Sequence, residues 1–102
     1  LAGIFPLVKK DGLYEKAEGI SKELEGFGFD VFFDEKGSIG KRYARVDEIG
    51  VPYAITVDYD TMKDSTVTLR DRNSLGQKRV KVSDLPELFW KLSLGKTTFD
   101  KI

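Results

Sequence analysis

Cysteine and histidine are both absent from this 102-residue chain. Without cysteine there is no disulfide, no thiolate metal site and no thiol nucleophile. Without histidine the commonest general base and the commonest metal ligand are also missing. A catalytic site would have to be assembled from carboxylates, lysine, serine or tyrosine, which argues against an enzyme. Excess charge is missing as well: 17 basic residues balance 17 acidic ones. A domain that held nucleic acid by phosphate neutralisation alone would be basic, so any RNA contact must come from a local patch or from a neighbouring domain. No apolar run approaches the length of a membrane span. The opening Leu1-Ala-Gly-Ile-Phe-Pro-Leu-Val8 lacks an initiator Met and a basic flank, so it does not read as a signal peptide. It reads as a strand entered partway along, the start of a domain cut from a longer protein.

What remains is an ordinary globular composition, 40% hydrophobic and 33% charged, and enough residues for one core. Ile4 to Val8 is a short apolar run suited to a buried parallel strand. Leu13, Ala17, Ile20, Leu24 and Phe27 recur at helical spacing, with Asp11 as the expected cap and Gly26 or Gly28 at the end. Phe29 to Phe33 is a second strand. After Gly37, Ser38 is placed to cap a helix with Ile39, Tyr43, Val46 and Ile49 on its apolar side, ended by Gly50. Its opposite side carries Lys41, Arg45 and Glu48, with Arg42 beside them and Arg45 spaced to pair with Glu48. Tyr53 to Val57 is a third strand.

The pattern then changes. Asp58 to Ser65 reads as a polar loop. Thr66 to Arg72 and Lys78 to Val82 alternate on either side of Asn73-Ser-Leu-Gly76, an antiparallel hairpin. Its polar face is Thr66, Thr68, Arg70, Arg72, Arg79 and Lys81, the most concentrated basic surface in the chain. Ser83 is expected to cap a last helix with Pro86 in its first turn and Leu85, Leu88, Phe89 and Leu92 on its stripe, with Trp90 off that stripe. The expected fold is α/β: a three-layer α/β/α domain over residues 1–92, with a five-stranded mixed sheet built from β-α-β-α-β plus the hairpin and a C-terminal helix. Residues 93–102 form a tail that Leu94, Phe99 and Ile102 can pin down.

Several chemistries fail on spacing. Gly37-Ser-Ile-Gly-Lys-Arg42 is no phosphate loop: Glu35 stands where a glycine is required, and Arg42 replaces the hydroxyl after the lysine. No Gly-x-Gly-x-x-Gly follows a strand. Asp58 ends the third strand as a phosphoacceptor would, but Lys9-Lys10-Asp11 cannot supply the acidic pair that such chemistry needs. Asp58, Asp60 and Asp64 could meet a divalent ion, although alternating acids in a loop more often form turns. Recognition of single-stranded RNA survives, since open α/β sheets bind ligands beyond the carboxyl ends of their strands. Those ends are Val8 to Gly12, Asp34 to Ser38 and Asp58 to Thr61.

The strings Pro6-Leu-Val8, Asp34-Glu-Lys-Gly-Ser-Ile-Gly-Lys-Arg-Tyr43, Asp47-Glu-Ile-Gly50, Thr56-Val-Asp-Tyr-Asp-Thr61 and Thr68-Leu-Arg-Asp-Arg72, followed by Leu85-Pro86, resemble the C-terminal anticodon-binding domain of glycyl-tRNA synthetase, a class II aminoacyl-tRNA synthetase. The resemblance runs in order across nearly the whole chain. It implies a synthetase appendage that binds the anticodon stem-loop of tRNA-Gly and has no cofactor of its own. An upstream catalytic domain of the same polypeptide would use ATP and Mg to attach glycine. The parent would be a cytoplasmic or mitochondrial homodimer, without membrane contact. The residues also leave open a synthetase-like accessory or protein-interaction module without RNA recognition. On the anticodon reading, Arg70 and Arg72 reach the anticodon, with Asp71 a lesser tRNA-binding candidate because its alternation turns it inward. Asp58 and Asp60 meet base edges, and Lys36, Lys41 and Arg42 meet the phosphate backbone.

Overall fold

The computed structural model describes residues 1–102. Five strands, β1 (Ala2–Pro6), β2 (Val31–Phe33), β3 (Tyr53–Val57), β4 (Thr66–Asp71) and β5 (Gln77–Lys81), form one sheet in the order β2-β1-β3-β4-β5. β1 lies parallel to both β2 and β3, and β3-β4-β5 continue antiparallel. The expected mixed five-stranded α/β sheet is therefore present. β1 begins and ends two residues earlier than the apolar run Ile4–Val8 suggests. Its bounds are set by its partners: Ala2 pairs with Tyr53 and Pro6 with Val57, whereas β2 offers partners only to Ala2, Gly3 and Ile4.

Two crossover helices lie on opposite sides of this sheet. α1 (Leu13–Gly26) connects β1 to β2 and buries Leu13, Ala17, Ile20 and Leu24 against Ala2, Ile4, Ile55, Val57, Val67 and Leu69. α4 (Leu85–Ser93) covers the same side with Leu85 and Phe89. On the other side, α2 (Ile39–Glu48) sets Val46 against Phe5 and Ala54. That approach is close because β1 carries Gly3 at the crossing. A Cβ on Gly3 would lie 2.8 Å from Val46 Cγ1 and 3.1 Å from Phe5 Cζ.

The helix ends refine the expectations. Ser38 caps α2, accepting from the Lys41 amide, and Gly50 follows its end at φ 81°. Asp11 does not cap α1. It stands at φ 58°, and Gly12 takes the cap position without a side-chain bond. Phe27 and Ile49 fall past the last full turn of their helices, and both are 62% exposed rather than on the apolar stripes. Ser83 lies in a 3-10 turn, Val82–Asp84, and makes no cap; α4 starts one residue later than a Ser83 cap would set it, with Pro86 in its first turn.

The segment Asp58–Ser65 is not a loop. It holds a short helix, α3 (Tyr59–Asp64), nucleated by a capping box in which the Asp58 carboxylate accepts from the Thr61 amide and Thr61 Oγ1 accepts from the Asp58 amide. Period counting misses a six-residue helix because it has barely one repeat of its stripe; the cap residues are the only local signal. At the C-terminus, Phe99 is buried in the main core, and Lys78 Nζ donates to the carbonyls of Phe99 and Ile102 at 2.7 and 3.1 Å. Leu94 is exposed and Trp90 lies outside the core, with Lys96 Nζ 4.9 Å from its ring centroid.

Gly3→Ala should destabilise the domain by about 1–3 kcal/mol, the usual cost of overpacking, because the buried side chains of Val46 and Phe5 would have to shift. Urea denaturation of the two forms measures this, and equal midpoints would show that α2 is free to move outward.

Candidate nucleic-acid interface

α2 shields only β1 and β3, so the side of the hairpin that faces the same way is left open. Alternation along β4 sends Val67, Leu69 and Asp71 into the core and Thr66, Thr68 and Arg70 to this open side. Register then places Thr68 opposite Arg79, Thr66 opposite Lys81 and Arg70 opposite Gln77. The surface is a strip about 17 Å long, the length of β4 at about 3.4 Å per residue. It is bordered by α2 on one flank and by α3 at its upper end, where the parallel strands finish.

The structure divides the expected site residues between the two ends of this strip. Lys36 and Lys41 are exposed on the loop and first turn that follow β2. Asp58 and Asp60 sit beside them in the chain's layout at the carboxyl end of β3, Asp60 exposed and Asp58 half-buried. Between the β1 and β2 ends runs a cleft of about 420 Å³ lined by Leu7, Val8, Lys9, Glu35, Gly37, Ser38, Ile39 and Arg42. Arg70, Asp71 and Arg72 lie at the opposite end, level with Tyr53 and Ala54 at the start of β3. The expected residues thus form two groups, with Thr66 and Thr68 between them.

Four of the five arginines here are already engaged. Arg42, expected on the solvated side of its helix, is only 4% exposed. Its guanidinium reaches beneath the cleft and donates to the carbonyls of Pro6, Leu7 and Gly37, while Nε has no partner. Burial lowers its pKa. Arg42 thereby ties the end of β1 and the loop at Gly37 to α2. Arg45 does not pair with Glu48; Nε donates to Asp34 Oδ2 at 2.7 Å. The pair across the loop wins because Asp34 is fixed at the end of β2, whereas Glu48 is fully solvated. Arg79 donates to Asp58, Thr66 and Thr68, which consumes its whole fork.

Arg70 is the most enclosed cation of the strip, its side chain 11% exposed. Nη1 and Nη2 donate to the two oxygens of Asp47, each at 2.9 Å, and the guanidinium stands 4.7 Å from the Tyr43 ring centroid. Tyr43 is held in turn by a 2.6 Å hydrogen bond between its hydroxyl and that of Thr56. Arg72 is exposed and donates only through Nε, to the carbonyl of Asp47 at 3.0 Å. Asp71 faces inward as its alternation implies, accepting from the amide and hydroxyl of Ser74 and so shaping the hairpin turn.

Asp47 is the residue that reading the sequence missed. Its place four residues after Tyr43, on one helix face, is the single local hint, and the partner it binds lies 23 residues away. The ionised forms of these aspartates are favoured. Hydrogen bonding from Arg70 holds the Asp47 carboxyl below its ordinary value. For Asp34 and Asp58, burial alone would raise the pKa, but the bonds from Arg45 and Lys36 to the first, and from Arg79 and Thr61 to the second, outweigh it and lower both. No group of three or more carboxylates is gathered to hold a metal ion. No helix is long and apolar enough to cross a membrane.

An open α/β sheet whose uncovered hairpin side carries arginine and hydroxyl side chains has the groups that can contact phosphates and bases. Residues 2–92 match the sequence model of the family described as "Anticodon binding domain", and the chain belongs to that family. Over 82 residues it is 56% identical to the glycine–tRNA ligase of Borreliella burgdorferi (strain ATCC 35210), a match covering 80% of this chain and 18% of that protein. The glycine–tRNA ligase of Thermococcus sibiricus is 48% identical over 92 residues, 90% of this chain and 16% of that protein. The chain thus spans less than a fifth of the length of these relatives. The RNA-binding domain of threonyl-tRNA synthetase from Cryptosporidium parvum Iowa II shares the fold, with a TM-score of 0.80 at 24% identity over 88% of this chain and 22% of that one. The resemblance to glycyl-tRNA synthetases is borne out by the ligase relatives, and anticodon binding is favoured over the accessory module.

A carboxylate whose folded pKa is lowered contributes stability that is complete above its unfolded value and is lost as pH falls through the folded one. Stability should therefore hold steady above about pH 5 and decline below about pH 4, where the unfolded aspartates begin to protonate. Asp34→Asn should be less stable than the parent chain at neutral pH and show a shallower acid decline. Urea midpoints collected from neutral pH downward test this; parallel curves for the two proteins would rule out the Asp34–Arg45 pair as a source of the acid sensitivity.

Proposed function

We propose that this domain binds the anticodon stem-loop of tRNA-Gly and so presents the tRNA to a catalytic domain of the same polypeptide, which attaches glycine using ATP and Mg. The observation that carries this reading is the 56% identity to a glycine–tRNA ligase across four-fifths of the chain. The geometry supports it. The open strip is long enough for several nucleotides of a loop, and splayed bases are read by hydrogen bonds and by stacking on guanidinium planes. On this reading Arg72, with both Nη groups unbonded within the protein, contacts a base edge or phosphate at the lower end. Lys36 and Lys41 meet the backbone at the upper end, and Asp60 accepts from exocyclic amines there.

Arg70, Asp58, Asp71 and Arg42 act at one remove. Each is bonded to a protein partner that fixes a neighbouring element: Arg70 to α2, Asp58 to α3 and β5, Asp71 to the hairpin turn, Arg42 to the end of β1 and the loop at Gly37. The parent protein works in the compartments of protein synthesis, the cytoplasm or the mitochondrion, as a homodimer joined through its catalytic domains. Near-neutral charge suits a division of labour in which this domain selects and the rest of the protein supplies affinity.

Titration of the domain with a tRNA-Gly anticodon stem-loop should give weak binding with a shallow salt dependence, since few phosphates are neutralised. Arg72→Ala should cost about 1–3 kcal/mol of binding free energy, whereas Lys16→Ala on α1, on the far side of the sheet, should cost nothing measurable. Equal losses from the two substitutions would overturn the placement of the interface. No binding by the parent chain at high concentration would overturn the function.

A further inference from the structure

The sequence contains five arginines, and all of them lie on or beside the open side of the sheet. Four are spoken for: Arg42 is buried against carbonyls, Arg45 is neutralised by Asp34, Arg79 by Asp58 and Arg70 by Asp47. Arg72 is the one arginine that is both exposed and without a carboxylate partner. Its Nε donates instead to the main-chain carbonyl of Asp47, a neutral acceptor at the last turn of α2 that orients the guanidinium and leaves both Nη groups without a partner in the protein. One residue thus treats the two arginines of Thr68-Leu-Arg-Asp-Arg72 in opposite ways. Its side chain cancels Arg70, and its backbone aims Arg72.

The contrast matters because Arg70 and Arg72 are two residues apart on one side of a strand, about 7 Å from each other. Two free guanidiniums at that spacing would neutralise successive phosphates of any single strand, whatever its bases. We infer that Asp47 is a specificity-determining residue: its carboxylate withholds Arg70 from RNA phosphates, so that this end of the strip offers one oriented cation instead of two. A phosphate that took Arg70 would have to displace both charge-assisted bonds and leave the Asp47 carboxylate facing another anion. The Tyr43 ring closes one face of the guanidinium as well. This inference rests on the RNA-binding reading of the strip and names what keeps that strip selective.

The test measures binding of a fluorescent oligouridine, which carries no anticodon, across a KCl series for the parent chain, Asp47→Asn, Asp47→Glu and the uncharged pair Asp47→Asn/Arg70→Gln. Asp47→Asn should tighten oligouridine binding by about threefold or more at low salt. It should also steepen the slope of log K against log salt by about 0.7, the value for one additional phosphate contact on a single strand. Asp47→Glu should restore the parental slope. The neutral pair should match the parent chain, because Arg70 contributes no phosphate contact in either.

A folded Asp47→Asn protein with the parental slope would overturn the inference. So would a neutral pair whose slope is shallower by about 0.7, which would mean that Arg70 already serves a phosphate; that comparison stands even if the single variant does not fold. Failure of the parent chain to bind the anticodon stem-loop, with the Asp47→Asn gain on oligouridine intact, would remove the proposed function and leave the action of Asp47 on Arg70 standing.

Discussion

The close approach of α2 to β1 sets the position of nearly everything on the functional side of this domain. A helix packed on a sheet ordinarily stands off by the depth of two side-chain layers. Here Gly3 removes one of them, and Val46 settles where a β-carbon would otherwise be. With α2 lowered onto the sheet, Arg42 can reach the carbonyls of Pro6 and Leu7, and Arg45 can reach Asp34. Asp47 comes level with the second residue of β3 and meets Arg70 across it.

The placement also decides which part of the sheet stays uncovered. α2 is ten residues long and lies over β1 and β3, so the antiparallel half receives no helix on that side. Antiparallel strands tolerate this because their alternation confines apolar side chains to the covered side. The result is a floor of threonine hydroxyls with charged groups at both ends. Its electrostatics are restrained by design: the aspartates that neutralise Arg45, Arg70 and Arg79 are themselves ionised more readily because of those contacts. With no net charge on the chain, any attraction to a polyanion is local.

Much of the architecture was legible from local pattern. Leu13, Ala17, Ile20 and Leu24 announced α1, and the alternation of Thr66–Arg72 announced a one-sided strand with Asp71 turned inward. Ser38 and Gly50 marked both ends of α2. The failures have a common cause, which is that the deciding partner is remote. The bounds of β1 follow from β2 and β3. The choice of Asp34 over Glu48 by Arg45 depends on which carboxylate the fold immobilises. The burial of Arg42 could not be anticipated from a helix in which it flanks the solvated side, because the acceptors that make burial tolerable belong to the end of another strand.

By itself the sequence determined the class of fold, the polar and apolar sides of each element and, through its specific strings, the family. Those depend on periodicity and on residue identity, both of which are local. Tertiary structure alone decided which cations remain usable. Five arginines look equivalent in the chain, yet a guanidinium is available to a ligand only if no carboxylate has been brought within hydrogen-bond distance first. That depends on the register of β3 on β4 and on the depth at which α2 rests over Gly3.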